Sequence, residues 1–415
     1  MRISWLWSTV PVLLSIGLWS STFPSAGARH SAAIGDEENN DRSFSPRAGY
    51  GAAGEESRSS ENQDRKAPGA RRDRQQRNQQ RALVRTNAPS GISVVNRVDT
   101  QRAGKLFDTS NPTLNAYANP NTSGVTFRTS WADVEPEDGK FDFSKIDVVF
   151  ANAEKNGKWV ELILIPGFGT PSWAMHGVQS GMFAIQYGRG NGTLLPLPVP
   201  WDQTYLSRWF TFLKTIADRY AGKTSFRMIA AAGPTSVSSE MSLPEAPDEI
   251  VQWEKFGYTS QRYINAWKQT FSAYTSIFTH QYFSLSLHPA LPIPDQRQKA
   301  SVREEIINLG LQYPGQFALE SDGLNSSRQD RTLDLVKDHS GQVVTGFMMS
   351  TAATDKSERM GAEGNPSLAL RKSINTGMRP NAAGQHVDYL EIYEPDVLAD
   401  EMQPVLRYAA SLFAR

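Results

Sequence analysis

From about residue 88 to Arg415, eight short runs rich in β-branched and aromatic residues alternate with segments whose apolar residues recur at helical spacing. The runs are "GISVVNRV", "GVTFRTSW", "WVELILIPGFG", "SFRMIAAAG", "YFSLSLHPA", "FALESDGL", "VVTGFMMS" and "HVDYLEIY". One intervening segment starts at Ser144, a predicted N-cap, carries Ile146, Val149, Phe150 and Ala153 on one face, and stops at Gly157. A second carries Leu206, Trp209, Phe210, Leu213, Ile216 and Tyr220, and a third Tyr263, Ile264, Trp267, Phe271, Tyr274 and Phe278. Strands that each need a helical crossover must pair in parallel, and eight such units over this length predict an α/β fold, a closed (β/α)8 TIM barrel. An open doubly wound sheet would place a glycine-rich phosphate loop after its first strand, and "VVNRVDT" has none.

The first 87 residues follow other rules. Arg2, an apolar stretch and the small-residue site Ala26-Gly27-Ala28 predict a signal peptide over residues 1–28, and hence a secreted or periplasmic protein. Residues 29–87 hold almost no large apolar side chains, so they are expected to form a disordered linker ahead of a catalytic domain at 88–415. The 43 basic and 43 acidic residues balance, which argues against a nucleic-acid partner, and no second stretch is apolar enough to span a membrane. With no cysteine, thiol nucleophiles and Cys-ligated metals are excluded. No His-Glu-x-x-His or similar ligand spacing occurs, so neither a metal nor another cofactor is expected.

In a barrel of this kind the chemistry collects where strands end. Those ends supply Arg128 and Trp131, then Phe168 and Trp173, Glu240, His288, Glu320 with Asp322, Met348 with Met349, and finally Glu391, Tyr393 and Glu394. Carboxylates, one arginine, one histidine and several flat rings suit a polyhydroxylated ligand, an oligo- or polysaccharide. Glu135, Asp138 and Asp142 sit in a turn before a helix, where capping is their expected work. Trp201, like Trp173, is a candidate for the substrate surface or for the core.

The stretch "FRTSWADVEPEDGKFDFSKIDVVFANAEKNGKWVELILIPGFGTPSWA" resembles the second-to-third strand region of retaining barrel glycoside hydrolases, notably the family 42 β-galactosidases. The likeness is carried by Arg128, Trp131, Glu135-Pro136, Gly139, Phe141-Asp142-Phe143, Asp147 and Thr170-Pro171-Ser172-Trp173, and extends to "PVPWD" and Glu240. It implies a glycosidase with Glu240 as acid/base, Arg128 supporting the catalytic carboxylate, and a nucleophile closing the seventh strand. Ser239 stands where the clan usually has Asn before that Glu.

The seventh run, "VVTGFMMSTAA", has no acid. Alternation in "HVDYLEIYEPDV" turns Tyr389, Glu391 and Tyr393 inward, making Glu391 the first candidate for the second catalytic carboxylate; Glu320 is the next, and Asp322 shares its face. Carboxyl groups about 5 Å apart would mean retention of configuration, and about 6.5–9.5 Å inversion. Arg128, Trp131, Trp173, His288, Asp322 and Tyr393 are expected to hold the sugar, while residues 177–200 and "EMSLPEAPDEIVQWEKFG" shape its choice. A barrel that binds glycans without cleaving them is the alternative reading, because of the missing acid and of Ser239.

Overall fold

The structure is a computed structural model, described for residues 87–96, 105–111, 113–186, 191–328 and 330–414. The predicted signal peptide, and the predicted linker up to residue 86, lie outside these residues. All eight predicted strands are present: β1 (Gly91–Val95), β2 (Gly124–Ser130), β3 (Trp159–Ile165), β6 (Phe226–Ala230), β8 (Tyr282–Leu287), β9 (Phe317–Leu324), β10 (Val344–Met349) and β11 (Tyr389–Tyr393). Each pairs in parallel with its neighbours, and pairing of β6 with β8 closes the ring into a barrel. Three further strands were not foreseen. β4 (Ser180–Ala184) and β5 (Leu194–Pro198) form an antiparallel hairpin after the third barrel strand, and β7 (Glu240–Met241) lies beside β8.

The helices bury the faces their spacing indicated. In the helix Ser144–Lys155, Ile146, Val149, Phe150 and Ala153 are buried against the sheet. Ser144 is its first residue rather than its N-cap: the Asp142 carboxylate already accepts from the Ser144 N–H at 2.9 Å. In the helix Gln203–Tyr220, Phe212 is buried and Phe210 only partly so.

Alternation inside the ring gives three layers. At the N-terminal end Trp159, Met228, Tyr282, Ala318, Val344 and Tyr389 form an apolar plug. Two residues further along the strands, Ser93, Thr126, Glu161, Ser284, Glu320 and Glu391 make a polar layer with no exposed surface. Above it Val95, Ile163, Ile165, Ala230 and Met348 pack together, with Tyr393 against them. Arg128, Ser286 and Asp322, each two residues beyond a member of the polar layer on its own strand, belong to this upper level, at the C-terminal mouth.

Candidate active site

Glu240 is placed by the segment before it. The run from Ala231 to Ser239 leaves β6 without joining a helix, so its backbone groups need other partners. Helix Gln203–Tyr220 supplies Trp209 Nε1 to the Ala232 carbonyl at 2.7 Å and Tyr205 Oη to the Gly233 carbonyl at 2.8 Å. Helix Ser260–Ile277 supplies Tyr263 Oη to the Pro234 carbonyl at 3.1 Å, and Tyr274 Oη both donates to Ala230 and accepts from Ala232 N–H. On the other side Phe168 N–H donates to the Ser236 carbonyl at 2.9 Å. Gly167 makes that approach possible: at φ +62, its missing Cβ would lie 2.2 Å from the Ser236 oxygen. The small residues and the aromatic faces of two helices are one device, which delivers Glu240 beside β8.

There Glu240 stands in register with Ser286, and so does Glu320 from the opposite side of β8. Asp322, one step higher on β9, accepts from Ser286 Oγ at 2.7 Å. Glu240 and Asp322 therefore flank the same serine at the mouth of the barrel. The partly exposed Glu240 is pushed up to about 7 by burial, against the pull of Arg128, Arg328 and Arg359. Asp322 is raised to about 6 by burial and then by the charge of Glu240, while Arg128 and the Ser286 hydroxyl draw it down. Its second oxygen is buried without a partner.

Arg128 lies between them electrostatically. Its backbone N–H donates to Asn96 Oδ1 at 2.8 Å and its carbonyl accepts from Asn96 Nδ2 at 3.1 Å, so the end of β1 holds the end of β2. The guanidinium reaches Tyr393 Oη and Ser238 Oγ, each at 3.3 Å, and Met348 Sδ at 3.6 Å. Among the described residues it makes no ion pair. Met348 of the seventh barrel strand thus occupies the surroundings of an acid: it touches Arg128 and the Tyr393 hydroxyl, and stands in register with Asp322 on one side and Glu391 on the other.

Glu391 and Glu320 point inward as alternation required, but into the closed polar layer. Both are 0% exposed, and with Glu161 they bring carboxylate oxygens within 4.8 Å of one another. Thr126 Oγ1 donates to Glu391 at 2.6 Å and lies 3.1 Å from Glu161, Ser284 donates to Glu161 at 3.2 Å, and Tyr389 to Glu320 at 2.6 Å. Burial, then mutual repulsion, raises the proton affinity of Glu161 and Glu320 well above the ordinary range, and burial raises that of Glu391. This is the one carboxylate group among the described residues close enough to hold a metal ion, and its hydroxyl donors suit protonated acids equally well.

The other expected sugar contacts divide. Tyr393 and the partly exposed His288 are at the mouth; burial and Arg328 lower His288 to about 4, so it is neutral near pH 7. Trp131 is fully buried among Trp173, Trp209 and Phe212 and donates to Glu135 at 2.8 Å. Trp173 is partly exposed and donates to the Glu135 carbonyl at 3.0 Å, so Glu135 ties two rings together. Trp201 borders a depression with Gln179, Arg262 and Asn265 whose lining holds none of the carboxylates above. Ser239 is buried, its hydroxyl unpartnered. The hairpin β4–β5 and the helix Pro247–Lys255, the two expected specificity elements, pack together, with Phe183 stacked on Trp253 at 4.1 Å.

Residues 116–284, from ahead of β2 into β8, match the family model of glycoside hydrolase family 42, described as β-galactosidase. Over that region the chain is similar to glycoside hydrolase family 42. No curated protein matches it. Among solved structures the chain is similar to the β-amylase catalytic domain of Paenibacillus polymyxa, at 11% identity and TM-score 0.49 over 78% of this chain and 98% of that one. It is also similar to endo-glycoceramidase II of Rhodococcus sp., at 14% identity and TM-score 0.46 over 77% and 78% of the two chains. Xylanase B of Clostridium stercorarium F9 shows 12% identity and TM-score 0.43 over 73% and 85%.

Proposed function

We propose that this protein is an exported enzyme that cleaves O-glycosidic bonds with Glu240 as general acid and Asp322 as the second carboxylate. The observation that carries the assignment is the pairing of these two groups across Ser286, each raised in proton affinity and both facing Arg128. At a pH between about 6 and about 7, Glu240 keeps its proton for the departing oxygen while Asp322 is ionised. Glu391 and Glu320, the earlier candidates, have no open surface through which a sugar carbon or a water would reach them. Asp322 attacks the anomeric carbon if configuration is retained and activates water if it is inverted, and the anomer of the first-formed product reports which.

The test is hydrolysis of a panel of aryl glycosides by the wild type, Glu240→Gln and Asp322→Asn. Each substitution is expected to lower kcat by about 10²–10⁴ on a substrate with a poor leaving group. An activated dinitrophenyl leaving group, which needs no proton, restores the rate of Glu240→Gln and not that of Asp322→Asn. Full activity in either variant on the poor leaving group refutes the assignment. The same preparation checks export: the mature protein begins at Arg29, and an intact Met1 contradicts it.

A further inference from the structure

The depression beside Trp201 has a volume of about 430 Å³, within the range of small-molecule sites, about 300–1,000 Å³. Its walls come from the starts of two helices, Gln203–Tyr220 and Ser260–Ile277. On the second of these, Arg262, Asn265, Ala266 and Gln269 recur at helical spacing and form one stripe. The same two helices turn Tyr205, Trp209 and Tyr263 another way, onto the segment that carries Glu240. The depression and the segment under the catalytic pair thus use different faces of one helix pair and share no residue.

The groups around it are set in place before any ligand arrives. Trp201 is half-buried: its Nε1 donates to the Phe256 carbonyl at 3.2 Å, and its ring rests against Trp253 and Tyr258, with centroids 5.8 and 5.6 Å away. Arg262 Nη1 donates to the Gly257 carbonyl at 3.0 Å. Gly257, at φ +73, makes room for that guanidinium, since a Cβ there would lie 2.4 Å from the nitrogen. Asp202 is committed to backbone, accepting from the Tyr205 N–H at 2.9 Å and from the Gln179 N–H at 3.2 Å, which holds Gln179 at the rim. What stays available is mostly amide. Among the described residues the side chains of Gln179 and Gln269 make no hydrogen bond, and Asn265 uses only its oxygen, on Gln261 Nε2 at 3.2 Å. An indole beside amides that both donate and accept matches a sugar, whose C–H face meets a ring while its hydroxyls meet the amides. One arginine and one aspartate share the lining, so the charge balances and a neutral ligand fits better than an anion.

We infer that this depression is a second carbohydrate site, which holds a neutral stretch of an oligo- or polysaccharide without cleaving it. The inference goes beyond the glycosidase reading and stands or falls separately from it. Its test is affinity electrophoresis of the Glu240→Gln protein through gels containing soluble galactan, xylan, β-glucan or polygalacturonate. At least one of the three neutral polysaccharides is expected to retard it. Adding Trp201→Ala lowers the affinity about tenfold, the loss of one stacked ring. Because Trp201 also packs on Trp253, a second variant keeps the core intact: Asn265→Ala with Gln269→Ala, both exposed, is expected to weaken retention by a similar factor with an unaltered unfolding midpoint. Retardation unchanged in both depression variants, no retardation by any of the neutral polysaccharides, or retardation by polygalacturonate alone overturns the inference. Retention that depends on Trp201, Asn265 and Gln269 upholds it even if the wild type proves to cleave nothing, so a failure of the catalytic assignment is read separately.

Discussion

At the scale of single residues, Met348, where the resemblance implied an acid, sets the surroundings of Arg128. A buried guanidinium beside a thioether keeps its charge but loses a partner, and Arg128 is left to the neighbouring strand, where Asp322 stands in register with Met348. Arg128 lowers the proton affinity of both Glu240 and Asp322. Arg128→Gln is therefore expected to raise both, shifting the pH optimum for hydrolysis upward, in addition to a fall in rate. An optimum that stays in place or moves toward acid contradicts this role. The sequence showed that the seventh strand lacks an acid, and alternation correctly turned Glu391 inward. What it did not show is depth. Glu391 is the third residue of its strand and lies level with Glu161 and Glu320, whereas Asp322, the sixth of its own, reaches the mouth. Trp131 fails as a sugar platform for a related reason: it starts a short helix that carries its ring out of the barrel into the core.

At the scale of elements, the two devices under the site make separable predictions. The segment that delivers Glu240 is fixed by hydroxyls and an indole from two helices. Removing one of them, as in Tyr205→Phe, deprives the Gly233 carbonyl of its donor and the Gly167 N–H of its acceptor. The expected cost is about 1–3 kcal/mol of stability, read by denaturant unfolding, together with a fall in kcat; an unaltered unfolding midpoint and kcat would remove the segment from the account. The polar layer predicts the opposite sign. Its three glutamates bind protons more tightly when folded than when unfolded, so the stability they contribute is complete below the unfolded value and declines as pH rises through the folded ones. Glu161→Gln keeps the shape without the ionisation. It should raise Tm at pH 8 by at least about 2 °C and have little effect near pH 4.5; a lower Tm at pH 8 would mean that the carboxylate is needed charged. The eight barrel strands were legible because each is a run of five to eight residues set between segments of helical spacing. β7 was not, being two residues long and fixed only by tertiary contacts, and neither was the hairpin, whose strand "LPLP" reads as irregular.

At the scale of the whole molecule, a barrel with a polar middle layer between two apolar ones isolates its buried acids from those at the mouth. The upper layer of Val95, Ile163, Ala230 and Met348 separates Glu161, Glu320 and Glu391 from the open end, and Glu240 and Asp322 are the pair proposed to meet a ligand. The pH dependence of kcat/KM tests that division most directly, because it reports the acid and base of the free enzyme. The wild type is expected to give a narrow bell with limbs near pH 6 and pH 7, from Asp322 and Glu240. With a dinitrophenyl substrate, Glu240→Gln should lose the alkaline limb and keep the acidic one. An alkaline limb that persists in Glu240→Gln would assign the proton donor to another group and contradict the account.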